Sequence, residues 1–143
     1  MKIFLDTSAL IKLYHQESGT QEIESLFNNF KITAIYLSEL AKIEFTSTIW
    51  KKVRTKEISQ NTAKIATILF ETDFDKLSFI SIDSMILEQS RLLFSDYGVY
   101  GLRTLDAIQL STAISLKTYS DSFIISDIHL KLFFEKERLK TNI

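Results

Sequence analysis

The sequence predicts an α/β protein, a three-layer α/β/α sandwich around a mostly parallel sheet of four to five strands. Short apolar runs rich in β-branched and aromatic residues (Ile3-Phe4-Leu5, Ile32 to Leu37, Leu77 to Ile82, Phe123-Ile124-Ile125) alternate with stretches of helical apolar spacing. Strands joined through helices pair in parallel by right-handed crossovers, with helices covering both faces of the sheet. The length of 143 residues is close to the roughly 150 of one domain, so residues 1–143 read as a single domain.

With almost no glycine or proline, element boundaries come from changes of period and from N-cap residues. Ile3-Phe4-Leu5 is a buried strand feeding a helix through Asp6-Thr7-Ser8, with Ala9-Leu10-Ile11 and Leu13-Tyr14 on its apolar side. Gly19-Thr20 opens a second helix whose Ile23, Leu26, Phe27 and Phe30 share one face. Strand two, Ile32 to Leu37, leads to Ser38, the expected cap of a long helix to about Arg54. Ser59 begins a helix to about Phe74, with Ile65, Ile68 and Leu69 as its expected inner stripe. Leu77 to Ile82 is strand three, and Asp83-Ser84 cap a helix to about Tyr97. Gly98 and Gly101 bracket a tight loop. Thr104 is the expected cap of a helix from Leu105 to about Lys117 that is apolar or small on nearly every side, as in a helix buried over most of its circumference. Phe123-Ile124-Ile125 is strand four, ending at Ser126-Asp127, and Ile128 to Leu139 is the last helix. Thr141 to Ile143 is a candidate edge strand.

Composition excludes several classes. With 45% hydrophobic and 24% charged residues the chain can bury a core rather than remain disordered. Seventeen basic against eighteen acidic residues leave a net charge of −1, which excludes a polycationic nucleic-acid coat but not a local basic patch. The absence of cysteine removes disulfides, thiolate metal sites and cysteine nucleophiles, and fits a reducing compartment. The N-terminal MKIFLDTS lacks the roughly 7 to 15 apolar residues of a secretory segment, and no stretch reaches the roughly 18 of a membrane span. A cytoplasmic location without membrane attachment is the expectation. None of the three glycines falls in a GxGxxG or GxxxxGK frame, so the common nucleotide-binding loops are absent.

The acids carry the functional signal. Asp6 and Asp127 each follow a buried strand, and in open α/β sheets the functional crevice lies beyond the carboxyl ends of the strands. Each also has an ordinary reading as the N-cap of the next helix. Asp106 sits in the first turn of the nearly all-apolar helix, where the helix dipole favours an acid, yet positions 109 and 110 offer Gln and Leu rather than a cation. Glu44 lies mid-helix between Ile43 and Phe45, on or beside an apolar stripe. Carboxylates gathered in one cleft repel each other and raise each other's pKa values. A divalent cation relieves that repulsion, and an all-oxygen donor set selects Mg²⁺ or Mn²⁺ over zinc. The matching chemistry is phosphodiester hydrolysis by a metal-activated water.

These residues resemble those of the PIN-domain nucleases, and within them the VapC toxins of bacterial and archaeal toxin–antitoxin pairs. Leu5-Asp6-Thr7-Ser8-Ala9-Leu10 with Lys12-Leu13-Tyr14, Glu17 and Ser18-Gly19 is similar to the family's opening motif. Ser38-x-Leu40-Ala41-x-x-Glu44 resembles the second, Leu102 to Ala113 around Asp106 the third, and Ile125-Ser126-Asp127-x-x-Leu130 the fourth. The resemblance implies a PIN-like fold and an endoribonuclease dependent on Mg²⁺ or Mn²⁺. It also implies an RNA substrate, a cognate antitoxin that holds the enzyme inactive, and a homodimer able to form a higher assembly with that antitoxin. It carries the family's acids to Asp6, Glu44, Asp106 and Asp127 as catalytic and metal residues, with Asp6 and Asp106 as direct metal ligands, Glu44 and Asp127 binding metal, orienting water or holding a second ion, and the supporting hydroxyl at Ser8. One position departs: where the family commonly has threonine or serine two residues before the fourth acid, this chain has Ile125, and Ser126 is the candidate replacement.

Lys51-Lys52-x-Arg54-x-Lys56 is the only dense basic run, readable as cations on the negative pole of a helix or as contacts to an RNA backbone. Arg103 either steers a phosphate, whose geometry guanidinium matches, or pairs with one of the acids. His15 and His129 stand outside any zinc-type spacing. Trp50 and Phe133-Phe134 read as core residues or as anchors for a partner. A PIN-like module that binds RNA or a partner without cleaving is the alternative function. Intact acids at all four positions weigh against it, since unpaired buried carboxylates are costly to keep. Haloacid-dehalogenase-type chemistry needs an aspartate where Ser8 stands, and a receiver domain needs an acidic pair where Asp6 stands alone.

Overall fold

Alternation along the first strand sorts the whole chain into layers. In β1 (Lys2–Leu5), Ile3 and Leu5 point to one face of the sheet and Phe4 to the other, all fully buried. On the face of Ile3 and Leu5 lie α1 (Thr7–Ile11), α2 (Thr20–Asn29), α3 (Leu40–Arg54) and α4 (Gln60–Thr72). On the face of Phe4 lie α5 (Ser84–Tyr97), α6 (Thr104–Ser115) and α7 (Ile128–Lys136). The same period-2 rule sends Tyr36 of β2 (Ala34–Ser38) and Ile80 of β3 (Ser78–Ile80) to the second face, and Ile124 of β4 (Ser122–Ile124) to the first. This computed structural model describes residues 1–141. The candidate edge strand at Thr141 to Ile143 falls mainly outside the described residues.

The sheet is wholly parallel, in the order β3-β2-β1-β4. It confirms the three-layer architecture, with four strands. The chain runs outward from β1 to β2 and β3, then returns through α5 and α6 to place β4 on the opposite side of β1. The strand order therefore reverses between β1 and β4, and a parallel sheet binds its ligands at the carboxyl end of such a switch point. Asp6 follows β1 and Asp127 lies three residues beyond the end of β4. Among the described residues, no helix is long and apolar enough to cross a membrane.

Three expectations are corrected. Ser38 ends β2 and the N-cap position of α3 falls on Glu39, although the Ser38 hydroxyl still accepts from the Leu40 N–H at 3.2 Å. The inner face of α4 is Ala63, Ala66 and Phe70, while Ile65, Ile68 and Leu69 are half-exposed or more, Ile68 at 61%. Small residues let α4 approach the layer closely, and Phe70 enters an aromatic cluster with its ring centroid 4.3 Å from Phe45 and 4.9 Å from Phe74. Aromatic packing and close approach outweigh the larger aliphatic stripe. The N-cap of α6 is Arg103 rather than Thr104: the Asp106 carboxylate reaches back to accept from the Arg103 backbone N–H at 3.4 Å and from its Nε at 3.1 Å, while the guanidinium, having no acceptor, caps no N–H of the first turn. The prediction for the rest of α6 holds: Ala107, Gln109, Leu110, Ser111, Thr112 and Ala113 are all buried.

Candidate active site

The carboxyl edge of the sheet opens into a cleft of about 590 Å³ whose walls include Asp6, Glu44, Asp106 and Asp127. Asp6 is the N-cap of α1, its Oδ1 accepting from the Ala9 N–H at 2.8 Å. It also accepts from the backbone N–H groups of Ser126 at 3.3 Å and Asp127 at 3.4 Å, so the loop after β4 is tied to the end of β1. Asp127 in turn caps α7 through the Leu130 N–H at 2.9 Å. Both acids are thus helix caps and cleft walls at once; the two readings of the sequence are compatible.

Helix α3 turns its apolar side (Leu40, Ala41, Phe45, Ile49) to the core and aligns Glu44, Thr48 and Lys51 along the cleft at i, i+4, i+7 spacing. Glu44 Oε1 accepts from the Thr7 hydroxyl at 2.8 Å and from Gln109 Nε2 at 2.7 Å. Asp106, only 8% exposed, receives Arg103 Nε at 3.1 Å. The partner missing at positions 109 and 110 is therefore one turn earlier. The Arg103 side chain is 71% exposed and lies on the cleft, so it pairs with an acid and still faces an incoming ligand.

Burial dominates the electrostatics. Desolvation pushes Asp6 from 3.8 up to about 6, against the pull of its three backbone N–H donors, and the charge of Asp127 adds to the rise. Desolvation also raises Glu44, opposed by the hydrogen bonds from Gln109 and Thr7 and assisted by the charge of Asp106. The acids thus interact across the cleft as Asp6 with Asp127 and Glu44 with Asp106. Among the described residues, no three acidic or histidine side chains stand close enough to enclose a metal ion as placed.

The other residues singled out from sequence divide. Ser8, Lys51 and Arg103 line the cleft. Lys52 does not: its ammonium is held off the cleft by Glu17 at 3.0 Å and Glu57 at 3.3 Å. Arg54 is exposed near the end of α3 and is also absent from the cleft wall. Ser126 borders a neighbouring groove and reaches Asp6 through its backbone N–H, while Ile125, at the departing position, is buried with the α6–α7 core. Phe133 and Phe134 are core residues, and Trp50 is 38% exposed. Thr7, Thr48 and Gln109 also line the wall and were not foreseen; a glutamine one turn after Asp106 in a helix of mostly apolar and small residues was the available signal.

Fold and cleft define an all-parallel α/β sandwich with an acidic crevice at its switch point. The chain belongs to the PIN domain family, whose profile matches residues 3–129. Solved structures share the fold, among them the following two. A toxin–antitoxin complex from Klebsiella pneumoniae is similar over 85% of this chain and 83% of that one, with 22% identity and a TM-score of 0.58. VapBC2 from Rickettsia felis, bound to a DNA fragment from its promoter, is similar over 99% of this chain and 98% of that one, with 16% identity and a TM-score of 0.65. No curated protein matches the chain.

Proposed function

We propose that this PIN-domain protein is a Mg²⁺- or Mn²⁺-dependent endoribonuclease, the VapC-type toxin of a toxin–antitoxin pair. In this reading it is a homodimer neutralised by a cognate antitoxin in the cytoplasm. The observation that carries the proposal is the convergence of Asp6, Glu44, Asp106 and Asp127 on one cleft at the switch point. Solved relatives of the same fold being toxin–antitoxin complexes supports the partner.

The residues present fit a hard divalent ion. Every acidic or imidazole group on the cleft wall is a carboxylate, with no histidine among them. Asp6 is nearly fully buried, and its hydrogen bonds come from backbone N–H groups without a cationic partner among the described residues. Mg²⁺ keeps several waters and takes only one or two carboxylates, so an open arrangement suits it better than a closed cage. Asp6 and Asp106 are the direct ligands in this account, with Glu44 and Asp127 orienting water or completing the shell. When bound, the ion lowers the pKa of a water and offsets charge on the scissile phosphate. Arg103 and Lys51, at the cleft wall, hold the RNA phosphate, and a cleft carboxylate left outside the shell accepts a proton from the attacking water. The water oxygen bonds to phosphorus as the bond to the 3′-oxygen breaks, and that oxygen takes up a proton.

The test is incubation of metal-stripped protein with total RNA, with and without Mn²⁺, in the wild type and Asp106→Asn. Cleavage only with Mn²⁺, and a loss of about 100-fold or more in the variant, is expected. RNA bound equally by both proteins and cut by neither identifies a non-catalytic binding module instead. Co-expression with the product of the adjacent reading frame tests the antitoxin: a stable complex that abolishes cleavage is expected.

A further inference from the structure

We propose that Thr7 and Gln109 are positioning residues that clamp one oxygen of Glu44 and leave its other oxygen, Oε2, as the single atom Glu44 offers the cleft. The inference rests on Glu44 completing the metal's shell in the proposed site, and it adds two residues to that site.

Three hydrogen bonds form the clamp. The Thr7 hydroxyl donates to Glu44 Oε1 at 2.8 Å, and Gln109 Nε2 donates to the same oxygen at 2.7 Å and to Thr7 Oγ1 at 3.0 Å. Donor accounting admits one arrangement: the two amide hydrogens of Gln109 go one to each oxygen, and the single Thr7 hydrogen goes to Glu44. Among the described residues Oε2 has no such donor. The three groups come from α1, α3 and α6, and Thr7 adjoins Asp6 while Gln109 is one helical turn beyond Asp106. The clamp therefore sets Glu44 in register with two other acids of the cleft.

Its cost shows that it is not ordinary core packing. Gln109 is 3% exposed, and its Oε1 is buried without a hydrogen-bond partner. Turning the amide over would aim that oxygen at the Glu44 carboxylate, so the charge of Glu44 dictates the orientation. A leucine at this position would fill the same interior of α6 without an orphaned acceptor, and buried polar groups left unpaired are rare enough to need a reason. Holding a carboxylate to one rotamer and one free oxygen is what outer partners of a ligating side chain do.

Mn²⁺ is titrated into metal-stripped Thr7→Val and Gln109→Leu, alone and combined with Glu44→Gln, with free Mn²⁺ read by electron paramagnetic resonance. Each single variant should lose about 10- to 100-fold in affinity, the usual effect of removing such a partner. Thr7→Ser should recover wild-type affinity, and neither variant should add to the loss in the Glu44→Gln background. Thr7→Val is nearly isosteric and keeps the test alive if Gln109→Leu does not fold. Unchanged Mn²⁺ affinity in Thr7→Val and Gln109→Leu, or losses undiminished without Glu44, overturn the clamp. If the wild type itself binds no Mn²⁺, the metal reading fails separately. The clamp is then decided by Tm in the metal-free protein: non-additive shifts for Gln109→Leu and Glu44→Gln support it, and additive shifts refute it.

Discussion

Removing the charge of Asp6 should stabilise the metal-free protein at neutral pH and not in acid. Burial raises its pKa from 3.8 to about 6, so the folded state holds the proton more tightly than the unfolded chain does. Stability from this group is fully present below about pH 4 and is lost as pH rises through about 6. A shift of about two units at 1.36 kcal/mol each makes the penalty at pH 7.5 about 3 kcal/mol. Asp6→Asn escapes it. The replacement keeps one carbonyl oxygen for the N–H groups of Ala9 and Ser126, both of which use Oδ1; it loses the long 3.4 Å acceptance from Asp127 and the charge assistance of the cap, and turns an amide NH₂ toward the Asp127 N–H. Those losses amount to about 2 kcal/mol. The net expectation is a gain of about 1 kcal/mol at pH 7.5 that reverses near pH 4. Urea unfolding in EDTA, followed by the single tryptophan, Trp50, measures it, since a domain of this size is expected to unfold in two states. The difference between variant and wild type cancels titrations common to both. A variant less stable than wild type by the same amount at both pH values would show that the fold welcomes the Asp6 charge as a cap, and would falsify the desolvation argument.

The rim of the cleft and the core give contrasting pairs. Arg103→Ala should change stability by less than about 1 kcal/mol, as for an exposed ion pair, yet raise the KM for RNA. Lys51→Ala should act likewise, whereas Lys52→Ala should leave KM unchanged because Lys52 is held by Glu17 and Glu57; steady-state cleavage at varied RNA concentration separates them. On α4, Phe70→Ala should cost about 3–5 kcal/mol and Ile68→Ala within about 0.5 kcal/mol, measured by urea unfolding; the reverse order would mean the outward aliphatic stripe is the packed one.

Much of this architecture is legible along the chain because it rests on local rules. The apolar triplets Ile3-Phe4-Leu5 and Phe123-Ile124-Ile125 announce buried strands, and an aspartate just past each marks the edge where a parallel sheet binds ligands. Glu44 was legible as an acid out of place beside an apolar stripe. What stayed hidden depends on contacts between distant segments. The inward face of α4 is chosen by Phe45 and Phe74 receiving Phe70, which no helical period reveals. Asp106 reaching back to the Arg103 N–H and Nε starts α6 one residue before the better intrinsic capping residue, Thr104. Thr7 and Gln109 are 102 positions apart, and only the fold brings them to the same carboxylate oxygen. Lys52 looks equivalent to Lys51 in sequence, but the rotation of about 100° per residue in a helix turns it away from the cleft, toward Glu17.

Thermal unfolding of the metal-free protein with and without Mn²⁺, for wild type, Asp6→Asn and Asp106→Asn, decides whether these acids form a metal site. Mn²⁺ at 100 times Kd should add about 2.7 kcal/mol, several degrees in Tm for a domain of this size. The account predicts that shift in wild type, lost or much reduced in both variants, with metal-free Asp6→Asn no less stable than wild type at neutral pH and metal-free Asp106→Asn, which weakens the Arg103 pair, within about 1 kcal/mol of it. No shift at millimolar Mn²⁺, with both variants destabilised, would make these residues caps and structural partners and contradict the nuclease assignment.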